Sequence, residues 1–263
     1  MKIKMIATDM DGTLLDSKKN MPEGFFDWVS EHKDVKFVIA SGRQYYALKR
    51  DFVPIHDRLI YIAENGALIF QHDEIIHCDE MPREAVLYCL DLIDKMPYAK
   101  AVPCGANSAY IENPTDHEWE VCTMFCGRLE KTDNVRKAIE NDRIVKIAIY
   151  YDAEDAEMHT GEFASLPNHI ISVLSGVSWI DISTDTVNKG EAMKVIQKKY
   201  DIDSKYCMAF GDYFNDVELL EACGESYCME SGHPDVFKHA KYIAPSNDDN
   251  GVMRVLNNGM YEY

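Results

Sequence analysis

Ile3-Lys4-Met5-Ile6-Ala7-Thr8-Asp9-Met10-Asp11-Gly12-Thr13 begins with a strand-length apolar run and ends in two carboxylates and a glycine. Side chains alternate faces along a strand, so carboxylates two residues apart at its end are expected to point the same way. Crowded carboxylates repel unless neutralised, and a hard divalent cation with oxygen ligands does that. Ligands of open α/β sheets bind at the carboxyl ends of the strands. The segment therefore proposes a metal, an anionic substrate and a nucleophile together. The plainer alternative is an Asp-Gly turn closing a strand.

Working outward, strands and helices alternate. Pro22 to His32 has the apolar spacing of a helix, with Phe25, Phe26, Trp28 and Val29 on one side. Lys36 to Ala40 and Leu59 to Ala63 read as buried strands, and Ser41-Gly42-Arg43 turns the first of them into a further helix. Leu68-Ile69-Phe70 and Ile75-Ile76-His77 flank a polar turn and read as a hairpin. This rhythm predicts an α/β fold with a doubly wound, Rossmann-like parallel sheet. From Pro82 the pattern changes. Arg83 to Lys95 is helical, and strand-like runs follow at 109–111, 145–151, 170–174 and 179–182, separated by helical patterns. After Asn188-Lys189-Gly190 the earlier rhythm returns, with a helix over 191–200, a strand over 206–210 and a helix over 217–222. The expected organisation is a catalytic core of 1–82 and 185–263 split by an inserted α+β cap domain of 83–184.

With 263 residues, 46% of them apolar and 27% charged, the chain has the composition of a globular protein with a sizeable core. Its net charge of −18, from 27 basic and 45 acidic residues, argues against nucleic-acid and anionic-membrane partners. It also repels phosphorylated metabolites at long range, so a phosphate site must supply its own positive charge. No run resembles a signal-peptide core or a membrane span, which reads as cytoplasmic. The eight cysteines are scattered without a C-x-x-C pair and read as reduced, buried thiols.

Three more places fall at strand ends or helix starts. In Gly211-Asp212-Tyr213-Phe214-Asn215-Asp216, Asp212 is the first charged side chain after an apolar strand, as Asp9 is in its own. If the two strands are neighbours, three or four carboxylates converge in a way that suits Mg²⁺. Helix capping is the competing account of Asp216. Ser41-Gly42-Arg43 offers a hydroxyl, a closely approachable backbone and N–H groups to a phosphate. Lys189 starts a helix, where the dipole disfavours a cation, so an anion nearby is expected. Tyr110, Trp119, Tyr150, Tyr151 and Trp179 in the inserted segment are expected to fill its core rather than line a pocket.

Taken in order, Asp9-Met10-Asp11-Gly12-Thr13-Leu14-Leu15, Ala40-Ser41-Gly42-Arg43, Asn188-Lys189-Gly190 and Gly211-Asp212…Asn215-Asp216 resemble the four motifs of the haloacid dehalogenase (HAD) superfamily. Glu64-Asn65-Gly66-Ala67 and Asn247-Asp248-Asp249-Asn250-Gly251-Val252 resemble further signatures of its Cof-type branch, which carries a large inserted cap. The resemblance implies a Mg²⁺-dependent phosphatase acting on a small phosphorylated metabolite through an aspartyl-phosphate. Asp9 would be the nucleophile and Asp11 the general acid and base. Asp9, the Asp11 backbone carbonyl and Asp212 would hold Mg²⁺, with Asp216 supporting. Thr13, Ser41, Gly42, Lys189 and Asn215 would contact the phosphoryl group, with Arg43 as a further anion contact. The family often has Met-Leu where this chain has Leu219-Leu220, a packing exchange. A Gly-Asn-Ala-like turn is replaced by Met229-Glu230-Ser231-Gly232-His233, which places Glu230 and His233 where leaving-group recognition could change. Two rivals remain at this level: a phosphosugar mutase on the same aspartyl-phosphate site, and a non-catalytic metabolite-binding protein. Asp9, Asp11, Lys189 and Asp212, all present, weigh against the second.

Overall fold

The computed structural model describes residues 2–151 and 156–258. It divides the chain into one unit of Met1–His77 with Asn188–Tyr263 and another of Cys78–Val187. The inserted unit is thus wider at both ends than the 83–184 segment expected from the change in rhythm.

The first segment runs β1 (Met5–Thr8), α1 (Phe25–Glu31), β2 (Lys36–Ala40), α2 (Tyr45–Asp51), β3 (Leu59–Ala63), β4 (Leu68–Gln71) and β5 (Glu74–Cys78). The inserted unit contains α3 (Arg83–Ile93), β6 (Ala99–Gly105), β7 (Ala109–Glu112), α4 (Asp116–Phe125), β8 (Leu129–Thr132) and α5 (Val135–Ala138). It continues through β9 (Ile144–Tyr151), β10 (Ile170–Gly176) and β11 (Trp179–Thr184). The closing segment supplies α6 (Lys189–Tyr200), β12 (Cys207–Gly211), α7 (Val217–Glu221), β13 (Glu225–Met229), β14 (Tyr242–Ala244) and α8 (Gly251–Asn257).

The first unit is built on an eight-stranded sheet in the order β14-β13-β12-β1-β2-β3-β4-β5. From β14 to β3 every pairing is parallel, and β4 then runs antiparallel to β3. β1 is covered on both faces and reads as a continuous apolar run for that reason. Its neighbours are β2 on one side and β12 on the other, with Met5 opposite both Lys36 and Cys207. The chain winds away from β1 in both directions, which makes its carboxyl end the switch point of the sheet. One face packs Met5, Ala7, Val38 and Ile60 against Met193, Ile196, Leu219 and Leu220. On the α1 side, Phe25, Trp28 and Phe52 pack around Phe37 or one another edge to face. Each such fully buried side chain contributes roughly 1.5–3 kcal/mol.

The inserted unit carries a six-stranded sheet in the order β10-β11-β9-β6-β7-β8. Its pairings are antiparallel except for β7 with β8. Val86, Cys89, Leu90 and Ile93 of α3 cover Ile147, Ile149, Ile180 and Ile182 on one side. Val102, Cys104 and Ile111 gather with Cys122 of α4 in a second cluster, and Thr115 and Glu118 cap that helix reciprocally. Tyr110, Tyr150 and Tyr151 are buried, and Trp119 and Trp179 flank the second cluster half-buried. Among the described residues, no helix is long and apolar enough to cross a membrane.

Candidate active site

β1 ends at Thr8, and the Asp9 N–H makes one more ladder bond, to the Phe210 carbonyl at 3.0 Å. Beyond it the chain turns at Gly12, whose φ of +89° an L side chain rarely adopts. Strand alternation therefore no longer governs Asp11, and the two carboxylates do not point together as the sequence suggests. Asp9 is 5% exposed and faces inward. The Asp11 carboxylate instead receives Arg43 Nε at 2.7 Å, Arg43 Nη2 at 2.5 Å and Lys19 Nζ at 2.7 Å. Burial pushes its acidity down, but the bonds from Arg43 and Lys19 outweigh it and hold the carboxyl below its usual pKa.

Asp9 is joined by Asp212 and Asp216 rather than by Asp11. Each of the three offers an oxygen, and the three oxygens lie within 4.8 Å of one another. The β1–β12 pairing sets this up, because Thr8 lies opposite Phe210 and both chains leave the sheet at the same level. Lys189 lies between them, with Nζ 2.7 Å from Asp9 Oδ1 and 2.5 Å from Asp216 Oδ1, and is fully buried. The cation at the start of α6 is thus answered by two anions, while Asn188 caps the helix by accepting the Glu191 N–H. Burial, together with repulsion from Asp216 and Asp212, raises Asp9 to about 8, Lys189 opposing. Burial and Asp216 likewise raise Asp212 to about 6, against Thr13 and Lys189. Burial lowers the Lys189 pKa, but Asp216 and Asp9 together hold the ammonium above its usual range.

Asp216 does not cap α7 with its side chain. Its Oδ2 accepts the N–H groups of Asp212 at 3.0 Å and Tyr213 at 3.2 Å, so it fixes the loop that carries Asp212. Thr13 donates its hydroxyl to Asp212 Oδ1 at 2.8 Å. A Cβ on Gly12 would meet Asp212 Oδ2 at 2.5 Å, so that turn and that carboxylate are fitted to each other.

Ser41 is buried but does not open a helix, because α2 begins only at Tyr45. Ser41 Oγ accepts the Arg43 N–H at 3.2 Å, and its carbonyl receives the Asn65 N–H at 3.0 Å. The Ser41-Gly42-Arg43 turn therefore rests on the Glu64-Asn65-Gly66 loop, with Gly42 against the Asn65 amide. Asn215 Nδ2 reaches Asn65 Oδ1 from the other side at 3.1 Å. Asn65 thereby links the segments bearing Ser41 and Asp212, a role the sequence does not disclose. Lys19 is a second residue that sequence reasoning misses, since a lysine in a polar turn carries no signal of its own. That turn is fixed by Asp16, which accepts the Lys18 and Asn20 N–H groups. Asn247 and Asp248 anchor the same stretch through the Leu15 carbonyl and the Ser17 N–H. His233 donates its N–H to the Asp212 carbonyl at 2.8 Å, whereas the Glu230 N–H bonds Ala244.

Three converging carboxylates with a hydroxyl alongside form an all-oxygen donor set, which fits a hard divalent cation such as Mg²⁺ better than a soft metal. The buried carboxylates driven above their usual pKa mark a place where a cation would relieve the crowding.

A twice-wound sheet with an inserted α+β unit, and an aspartate cluster on a buried lysine at its switch point, defines an aspartate-based hydrolase core. The chain belongs to the haloacid dehalogenase-like hydrolases, whose family model matches residues 6–256. It is 32% identical over 261 residues to the 5-amino-6-(5-phospho-D-ribitylamino)uracil phosphatase YbjI of Escherichia coli, covering 97% of this chain and 96% of that one. Among solved structures it is similar to SMU.1108c from Streptococcus mutans, with TM-score 0.83, 29% identity and 98% of each chain covered. A haloacid dehalogenase-like hydrolase from Bacteroides thetaiotaomicron shares the fold with TM-score 0.86 at 21% identity, over 98% of this chain and 99% of that one. Within the family, the chain is a phosphatase.

Proposed function

We propose that the protein is a Mg²⁺-dependent phosphomonoesterase that hydrolyses a small phosphorylated metabolite, a sugar phosphate or similar ester, through an aspartyl-phosphate on Asp9. The observation that carries this reading is the buried Asp9 carboxylate, gripped by Lys189 and crowded by Asp212 and Asp216. Asp9 attacks phosphorus in line, and the bond from phosphorus to the ester oxygen breaks. Asp11 gives its proton to that oxygen, and the alcohol leaves. Asp11 then takes a proton from water as the water oxygen attacks phosphorus, which frees Asp9 and releases inorganic phosphate. Arg43 and Lys19 are drawn from Asp11 when an anionic ester competes for them, which returns the carboxyl to a range in which it can carry a proton. Lys189, Thr13, Ser41, the backbone at Gly42 and Asn215 hold the phosphoryl oxygens. Asp9, the Asp11 carbonyl and Asp212 would hold Mg²⁺, with Asp216 supporting them, and the cation would offset negative charge on the phosphoryl group. We place the protein in the cytoplasm, in keeping with eight cysteines that are all free thiols.

The test is phosphate release from a panel of phosphorylated metabolites, with Mg²⁺ and with a chelator, on the wild type and Asp9→Asn. Release that needs Mg²⁺ and falls at least about a thousandfold in the variant is the expected outcome. Release that survives Asp9→Asn would remove Asp9 as nucleophile.

A further inference from the structure

We propose that Asp51 is a positioning residue for the general acid: it keeps hold of Arg43 while Asp11 swings to the ester, and so eases that release. The proposal rests on the phosphatase reading and adds to it the residue on which the movement of the acid turns.

Asp51 is the last residue of α2, where the helix dipole disfavours an anion. Arg43 answers that charge, with Nη1 3.1 Å from Asp51 Oδ2. The same guanidinium grips Asp11 by its other edge, Nε donating to Oδ2 and Nη2 to Oδ1. A guanidinium is a rigid planar fork of five donors, so two of its edges can serve two carboxylates at once. The Arg43 and Asp51 side chains are each only 29% exposed, so either charge is costly to leave without its partner. Arg50 also approaches Asp51, Nε lying 3.7 Å from Oδ1, but its side chain is 74% exposed and the contact is weak.

Neither Arg43 nor α2 is free to follow Asp11. The Arg43 N–H donates to Ser41 Oγ and its carbonyl accepts the Glu64 N–H, which fixes the backbone on both sides. Tyr45, Ala47 and Leu48 bury α2 in the core. In this state Asp11 is turned to Arg43 and Lys19, while Asp9 is turned to Lys189. Giving a proton to the ester oxygen requires Asp11 at the phosphoryl group on Asp9, so Asp11 has to leave Arg43 first. With Asp51 in place, the guanidinium keeps one carboxylate and its freed edge turns to the incoming anion. Without Asp51, the departure strands a partly desolvated cation, and Asp11 is held back.

p-Nitrophenyl phosphate and benzyl phosphate are the probes, being alike in size. Nitrophenolate leaves as an anion, whereas the benzyl alcohol oxygen needs a proton. The readout is kcat/KM, which reports the transfer to Asp9 before water attacks. Asp51→Asn should lower it about tenfold for benzyl phosphate, the size of one charge-assisted hydrogen bond, and far less for p-nitrophenyl phosphate. Asp51→Glu should recover most of the loss. In an Arg43→Ala background, Asp51→Asn should add nothing further. Equal losses on the two esters, or an undiminished loss without Arg43, overturn the proposal. Chemical denaturation in chelator reads the shared guanidinium without turnover. Asp11→Asn and Asp51→Asn together should lower the midpoint by more than the sum of the two alone, since only the pair leaves Arg43 with neither carboxylate. Additive shifts overturn the shared hold. A more than additive shift in a protein that releases phosphate from neither ester keeps the hold and overturns the phosphatase reading instead.

Discussion

At Lys189 a helix begins with a cation where its dipole favours an anion, and that cation is fully buried. Asp9 and Asp216 make the position tolerable, and the dependence is mutual. Lys189→Met leaves buried carboxylates without their ammonium, and breaking such a pair costs about 3–5 kcal/mol. The expected result is a large loss of stability in chelator at neutral pH, partly recovered by Mg²⁺, with phosphate release abolished; chemical denaturation with and without Mg²⁺ measures it. Gly12 makes a second sharp case. Its φ of +89°, and the 2.5 Å that would separate an added methyl from Asp212 Oδ2, mean that Gly12→Ala displaces a proposed metal ligand. Mg²⁺ affinity, read by calorimetry, should weaken about 10–100-fold. Asp9 and Asp212 are legible in the sequence because each follows a strong apolar run at the carboxyl end of a central strand, and Lys189 because it sets a cation at a helix start. The direction of Asp11 is not, because β1 ends at Thr8 and the turn through Gly12 breaks the alternation from which its side was read.

The elements around the site are tied by loops more than by helices. A Cβ on Gly66, at φ +117°, would come within 2.3 Å of the Asn188 carbonyl, so the loop after β3 seats the start of α6. Gly66→Ala should cost about 1–3 kcal/mol in backbone strain. It should also lower kcat more than its melting temperature suggests, because Lys189 follows Asn188 directly; a variant that melts early but turns over normally would refute the link. The β-α rhythm of the first unit is readable because its buried parallel strands are near-continuous apolar runs. In the inserted unit β6 and β8 give no such signal. β6 contains Pro103, which counts against a strand in sequence, and β8 reads Leu129-Glu130-Lys131-Thr132, too polar to show alternation. Ser41 reads as a helix start because a glycine and an arginine follow it, whereas Asn65, distant in sequence, is what shapes that turn.

Over the whole molecule, the site is a concentration of negative charge inside a protein already at −18. Asp9 and Asp212 are raised to about 8 and about 6 from the 3.8 they have when unfolded. Folded protein without metal therefore holds more protons than unfolded protein between those limits. Its stability is fully supported by these groups below about pH 4 and declines as pH rises through about 6 and about 8. A bound divalent cation competes with those same protons, so stabilisation by Mg²⁺ should grow across that interval. Melting temperatures with Mg²⁺ and with chelator should diverge from about pH 6 to about pH 9, and a constant gap would argue against metal at this cluster. The pairing of β1 with β12 carries one more consequence, for the order in which the protein is made. Asp9 leaves the ribosome about 10–40 s before Asp212 at ordinary elongation rates. Through that interval β1 lacks its β12 neighbour, and for most of it the aspartate also lacks Lys189. Chemistry in this molecule must wait for nearly the last strand to be translated, so a truncated nascent chain is not a weaker enzyme but an unassembled one.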